Sequence, residues 1–137
     1  MKFGIGQSAS RVEDRRLLIG AGCYSDDVAP GKGLHVAFLR APHAHARIQH
    51  LDVKAALNVT GVRLVATQAD LDADDIGDIE CQFRPPLIGG GDMQLVSKPA
   101  MVRDINRHAG DIIAMVVAET QDIAESAIEL IEVDYEA

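Results

Sequence analysis

The sequence predicts an α+β domain with a mixed sheet and two or three helices. Two observations favour this class: short stretches alternate apolar and polar residues as half-buried strands do, and a later stretch repeats its apolar residues with the helical period. The order of these stretches, roughly β-β-α-β-loop-β-β-α-β, lacks the regular strand–helix rhythm of a doubly wound sheet. The chain has 137 residues, 47% of them hydrophobic. That is enough for one core, so we expect a single domain over 1–137.

The first half of the chain predicts a leading segment and three strands. Residues 1–32 are rich in glycine and are expected to be irregular. The stretch 34–40 alternates Leu34, Val36 and Phe38 with His35, Ala37 and Leu39, which predicts a strand buried on one face and partly on the other. Ala41-Pro42 interrupts it, because proline cannot donate to a ladder. Then follow a second strand at about 43–50, a short helix ending near Asn58, a third strand from Gly61, and a helical turn capped by Thr67 or Asp70.

The second half predicts a long loop, a buried strand, a helix and a final strand. Residues 72–99 contain Pro85-Pro86 and three consecutive glycines, which indicates a long loop. Residues 100–107 are a weak strand candidate, and the continuous apolar run 112–119 is typical of a strand buried on both faces. Thr120 is a suitable N-cap for the last helix. The apolar stripe of that helix comprises Ile123, Ala124, Ala127, Ile128 and Ile131. The ending 131–137 alternates again, which predicts a strand with one wet face.

Charge and cysteine content exclude several classes of partner. The net charge of −8 and the pI near 4.9 argue against nucleic acid or an anionic membrane as the main partner. Cys23 and Cys81 have no neighbouring cysteine, which is typical of reduced thiols in a cytosolic protein. The first residues lack the apolar region of a signal peptide, and no apolar run reaches the ~20 residues that cross a bilayer. We expect a cytoplasmic protein.

The histidines of "RAPHAHARIQH" are the first candidate site. His43 and His45 would project to the same side of a strand, as a chelating pair does. A zinc site needs three or four ligands, no third ligand is evident, and Arg47 on the same face would repel a cation. We therefore interpret this segment as a polar strand face that meets solvent or a neighbour.

Three other motifs lack the context that their chemistry needs. "GIGQSAS" has no room for the strand that precedes a dinucleotide fingerprint. "IGGGD" has no following Lys-Ser/Thr, so a flexible loop is favoured over a phosphate-binding loop. The aspartates of 70–78 lack the glutamate and glycine of a calcium-binding loop, so a solvated acidic loop is expected. Cys23 and Cys81 could equally be small buried hydrophobes. We assign no catalytic, cofactor-binding or metal-ligating residue.

Several segments together resemble a known family. The matching features are Arg11, Gly20, Tyr24 and Asp27, the run Arg40–Ile48, Gly110 before the buried strand, Ala118-Glu119-Thr120 at the helix start, and "VDYE" at 133–136. In this order the chain resembles the start of the molybdopterin-binding large subunit of the xanthine dehydrogenase, aldehyde oxidase and carbon monoxide dehydrogenase family. The resemblance covers nearly the whole chain apart from about 73–100. One departure is Asp111-Ile112, where many bacterial members have Glu-Pro.

The resemblance implies an α/β hammerhead domain that precedes the molybdopterin-binding domains. Such enzymes oxidise aldehydes, purines, other heterocycles or carbon monoxide. They carry a molybdopterin cofactor in the large subunit, and FAD and [2Fe–2S] clusters in partner chains or domains. The family's catalytic glutamate and pterin-contacting loops match no position here. The sequence stops where the family continues into the next domain, so the resemblance implies a truncated domain or a piece of a split large subunit.

Two functions remain open at this stage. The first is a non-catalytic structural domain of a molybdenum-dependent hydroxylase or dehydrogenase, with the rest of the large subunit and the iron–sulfur and FAD subunits as partners. The alternative is a stand-alone binding or assembly module on the same fold with no redox role. The breadth of the resemblance favours the first.

Overall fold

The computed structural model describes residue 6, residues 10–28 and residues 33–136. The chain divides into two compact units, Met1–Gly33 and Leu34–Ala137.

The described part of the first unit contains two short helical segments where the sequence analysis expects irregular chain. Helix α1 spans Asp14–Leu18, and a single 3-10 turn spans Ser25–Asp27. Local polar contacts favour both: Arg16 pairs with Glu13 one turn earlier, and the Tyr24 N–H donates to the Asp27 carboxylate over 2.8 Å. Such one-turn segments carry no apolar periodicity, which is why the pattern of the sequence does not reveal them.

The second unit contains six strands and three helices. The strands are β1 (His35–Arg40), β2 (Ala46–Asp52), β3 (Val62–Thr67), β4 (Ile105–Asn106), β5 (Ile112–Ala118) and β6 (Glu132–Glu136). The helices are α2 (Lys54–Leu57), α3 (Gln68–Ala73) and α4 (Gln121–Ile128).

The strands form two three-stranded sheets in the orders β1-β5-β3 and β4-β2-β6. Each pair of neighbouring strands is antiparallel. The α+β class is confirmed, and the residues that the structure describes contain two sheets in place of the one mixed sheet expected and four α-helices instead of two or three. Strand β5 is central in its sheet, which agrees with the burial predicted for its apolar run.

One core lies between the first sheet and α4. It is built largely from alanines, because Ala114 and Ala118 of β5 meet Ala124 and Ala127 of α4, and all four are fully buried. Small side chains let a helix approach a sheet closely, and larger side chains such as Val116 and Ile123 pack around the alanines. Thr120 caps α4 as predicted, accepting a hydrogen bond from the Ile123 N–H over 3.3 Å.

A second core joins the two sheets. The fully buried Ile113 packs with Ala41 and Val102, and partly buried side chains from β2 and β6 surround them. Strand β6 has the predicted wet face, with its exposed residues at alternate positions.

Strand β1 buries the smaller residues of its alternating pattern. Ala37 is buried and Leu39 partly buried, whereas Val36 and Phe38 are about two-fifths exposed. In register, Val36 and Phe38 lie opposite Val117 and Met115, so they share the sheet face away from the α4 core. The alternation therefore gives the period correctly but not which face packs inward.

The element boundaries differ from the predicted ones in three places. Strand β2 begins at Ala46 rather than near 43, and the strand candidate at 100–107 shortens to two residues. Helix α3 continues through Ala73, so the long loop begins at 74 rather than 72. Within that loop a single bridge pairs Ile79 with Lys98.

Gly61 makes the turn between α2 and β3. Its φ is +92°, and a Cβ there would lie 2.8 Å from Ile123 Cδ1 of α4. Its carbonyl accepts the Glu119 N–H over 2.9 Å, which ties this turn to the end of β5. Both the backbone angle and the close approach favour glycine.

Candidate functional site

His43 and His45 precede β2 and are not part of that strand. Both residues lie in a bend. The prediction that a strand would project both side chains to the same side is therefore wrong. His43 instead packs edge-on against Tyr135 of β6, with ring centroids 4.8 Å apart and an interplanar angle of 62°. Burial raises the pKa of Tyr135. Arg47 is on β2 as expected and pairs with Asp104 at 3.4 Å.

Asn106 contacts the segment that precedes β2. This residue is fully buried on β4, and its Nδ2 donates to the His43 carbonyl over 2.6 Å. The side chain thus takes the position of a ladder partner at His43. The sequence gives little signal for this contact, because 63 residues separate its partners.

No metal centre is assembled from the part of the chain that the structure describes. Within residues 10–28 and 33–136, no three His, Cys, Asp or Glu side chains converge as a metal site requires.

The acidic segment around 70–78 contains a specific ion-pair cluster rather than only solvated carboxylates. Arg103 donates to both Asp72 and Asp78, with Nη2 at 2.7 and 2.8 Å from their Oδ1 atoms. The hydrogen bond from Arg103 lowers the pKa of Asp72 to about 2, and the same contacts raise the pKa of Arg103. We call Arg103, Asp72 and Asp78 the arginine clasp. It joins α3 to the segment that precedes β4.

Gln68 adds a buried contact next to the arginine clasp. Its Oε1 accepts the Met101 N–H over 2.8 Å, and its Nε2 donates to Asp72 Oδ1 over 2.8 Å. The side chain is 2% exposed. Thr67, one of the two predicted caps, is the N-cap of α3, and Asp70 lies three residues later, where its carboxylate accepts from the Thr67 N–H. The sequence gives no signal that Gln68 is buried, since a polar residue in the first turn of a helix resembles any exposed helix position.

The two cysteines are exposed and free, which contradicts the reading that they are buried hydrophobes. Cys81 Sγ donates to the Phe83 carbonyl over 3.1 Å. The glycines of "IGGGD" all have positive φ, and the Gly90 N–H donates to the Leu87 carbonyl in a local turn.

A cavity lies beside β4. Its volume is about 600 Å³, and its walls come from the segment 96–102 and the turn between β4 and β5. Basic side chains at its margin are Arg40, Lys98, Arg107 and His108. We call this the basic cavity. The sequence gives no signal for this cavity, because its basic residues come from three separate segments.

These features define a class of protein: an α+β domain of two small antiparallel sheets with surface ion pairs. Residues 19–137 match the family described as aldehyde oxidase and xanthine dehydrogenase, a/b hammerhead domain. The match covers most of the chain, and the chain belongs to this family.

Curated relatives are large subunits of oxidoreductases. The chain is 36% identical over 132 residues to the nicotine 6-hydroxylase large subunit of Paenarthrobacter nicotinovorans, covering 96% of this chain and 15% of the relative. It is 40% identical over 133 residues to the carbon monoxide dehydrogenase large chain of Afipia carboxidovorans, covering 97% of this chain and 15% of the relative. The chain therefore spans about a seventh of the length of these relatives.

Solved structures show the same likeness. Quinoline 2-oxidoreductase from Pseudomonas putida 86 matches with a TM-score of 0.73 and 39% identity over 99% of this chain and 16% of that one. The Cu,Mo-CO dehydrogenase matches with a TM-score of 0.70 and 35% identity over 98% of this chain and 16% of that one. In the described residues, no helix is long and apolar enough to span a membrane.

Proposed function

We propose that the chain is a non-catalytic structural domain of a molybdenum-dependent hydroxylase or dehydrogenase, whose redox chemistry takes place in other domains. One observation carries the proposal: the relatives match over 96% or more of this chain but only 15% of their own length. A domain that is one part of a larger subunit produces this coverage. The full enzyme would oxidise an aldehyde, a purine, another heterocycle or carbon monoxide.

The hydrogen bonds and ion pairs of the ionisable groups support a structural role. The strongest pKa shifts among the described residues belong to Asp72 and Arg103, which lie in the arginine clasp at the surface. Catalytic acids and bases usually gain shifted pKa values in a cleft, next to the reacting atoms. Here the shifts come from contacts that join backbone segments. Other charged pairs, such as Arg63 with Glu119, likewise link neighbouring elements.

The cofactors and partners follow from this proposal. The molybdopterin cofactor would be held by the remaining domains of the large subunit, as the family resemblance implies. Iron–sulfur and FAD subunits would complete the electron path. One relative is itself called subunit gamma of a dehydrogenase complex. The assembly would be cytoplasmic, with neither nucleic acid nor membrane as a partner.

Activity and metal content of the purified 137-residue chain test the non-catalytic role. We expect no retained molybdenum by elemental analysis and no dye reduction with an aldehyde or purine, because the chain corresponds to only about 15% of the length of the related large subunits. The native complex serves as the positive control in the same assay. A His43→Ala/His45→Ala variant is the matched control, and its metal content should equal that of the unchanged chain.

Molybdenum retained by the chain together with substrate-dependent dye reduction would refute the non-catalytic role. A chain that purifies from its own cell without any molybdenum-containing partner would instead favour the stand-alone binding or assembly module.

A further inference from the structure

Unpaired positive charge in the second unit collects at one place. Residues 34–136 contain eight lysines and arginines. Four of them form salt bridges with carboxylates: Arg47, Lys54, Arg63 and Arg103. The other four make no salt bridge within residues 34–136, and three of these, Arg40, Lys98 and Arg107, line the basic cavity. In a chain with a net charge of −8, this gathering creates a local site for an anion.

The one carboxylate in the cavity wall is already engaged. Asp111 Oδ2 accepts the backbone N–H groups of Arg107 and His108 over 2.8 and 3.2 Å. Its Oδ1 lies 2.9 Å from His108 Nδ1. These contacts close the turn between β4 and β5, and they leave the guanidinium groups of Arg40 and Arg107 without an acidic partner in the wall.

Arg40 is held in place for a ligand. Its Nη1 donates to the Gly110 carbonyl over 2.9 Å, and its Cζ lies 5.8 Å from the centre of the Phe38 ring. A guanidinium held by one hydrogen bond and one aromatic face still has free N–H donors.

Most of the remaining wall residues are apolar. Met101 and Val102 are buried, Ile105 and Ile112 are partly buried, and Val96 at the margin is 72% exposed. Cavities of about 300–1,000 Å³ with apolar walls and a few polar groups are typical sites for small organic ligands. The volume of about 600 Å³ falls within that range.

We propose that the basic cavity binds a small organic anion: an apolar body that carries a carboxylate, sulfonate or phosphate group. Lys98 and Arg107 attract the anionic group, and Arg40 donates to it from a fixed position. The apolar body covers Val102, Ile105 and Ile112. Binding is reversible, and no bond of the ligand is made or broken.

Fluorescence titration with anilinonaphthalene sulfonate, an apolar aromatic anion, tests the proposal on the 137-residue chain. The test variant is Lys98→Glu/Arg107→Glu, because neither side chain makes a salt bridge within residues 34–136. We expect it to weaken dye binding about ten-fold or more, since two attractive charges near the ligand become repulsive. Raising the salt from about 0.05 to about 0.5 M should reduce affinity for the unchanged chain but hardly for the variant.

Arg84→Glu is the matched control, since Arg84 lacks a salt bridge within residues 34–136 and lies outside the basic cavity. Its dye affinity should stay within about two-fold of the unchanged chain. Circular dichroism of all variants should be the same. Neutral phenylnaphthylamine, which lacks the sulfonate, should bind the unchanged chain and the double variant alike.

Three results would overturn the proposal. The first is that the dye shows no saturable binding. The second is that the double variant and Arg84→Glu lose dye affinity equally. The third is that polyglutamate displaces the dye but naphthoate does not. The last would show that a polypeptide segment, rather than a small molecule, occupies the cavity.

Discussion

Replacing Gln68 by methionine should destabilise the second unit far more than a surface glutamine replacement does. Methionine keeps the length and approximate volume of the side chain but makes neither of its two hydrogen bonds. The Met101 N–H, which now donates to Gln68 Oε1 over 2.8 Å, would lose its partner in a buried position.

The expected cost follows from that one unsatisfied donor. A buried polar group left without a partner costs about 1–3 kcal/mol. The bond from Gln68 to Asp72 adds little, because the Asp72 carboxylate is partly exposed and water can replace the lost donor. We therefore expect the free energy of unfolding to fall by about 2 kcal/mol.

Urea unfolding followed by circular dichroism measures this difference. The matched control is Gln121→Met, at an exposed glutamine whose Nε2 donates to Glu125 one turn later. It should change the free energy of unfolding by less than about 0.5 kcal/mol, because surface substitutions rarely exceed that. The slope of the free energy of unfolding against urea concentration should be unchanged in both variants. Equal unfolding midpoints for Gln68→Met and Gln121→Met would refute the role of Gln68.

Two further predictions concern the arginine clasp and the Gly61 turn. Arg103 holds the pKa of Asp72 at about 2, below the 3.8 of an unperturbed aspartate. The stability it contributes is present above pH 3.8 and is lost as the pH falls towards 2. Arg103→Gln should therefore lower the urea midpoint of unfolding near neutral pH. If the midpoints of the variant and the unchanged chain still differed by the same amount at pH 2, this explanation would be contradicted. Gly61→Ala should cost about 1–2 kcal/mol in urea unfolding, because its φ of +92° strains an L-residue. Gly77→Ala, with open space around its Cβ, should stay within about 0.5 kcal/mol, and equal losses would refute the argument.

Local patterns predict the elements well. The apolar run of β5, the Thr120 cap of α4 and the alternation of β6 depend on residues close in sequence, and all three are confirmed. The family resemblance, which depends on segments in order along the whole chain, is also confirmed.

Long-range contacts could not be predicted in the same way. Gln68 meets Met101 across 33 residues, and Arg103 meets Asp72 across 31. A single sequence does not say which polar residue finds a distant partner and which remains in water. The His43–His45 pair shows the converse error, since its spacing suits a strand that begins only at Ala46. The His43 carbonyl instead accepts a hydrogen bond from the Asn106 side chain, 63 residues away in sequence.

The composition of the native complex tests the central claim most directly. The species that contains this sequence should be purified from its own cell, then examined by native mass spectrometry and elemental analysis. Membership of a molybdenum hydroxylase predicts molybdopterin-binding domains in the same chain or in a bound partner, with about one molybdenum per copy of the domain, and iron in associated subunits. A species with no molybdenum and no molybdopterin-binding polypeptide would contradict the proposed function.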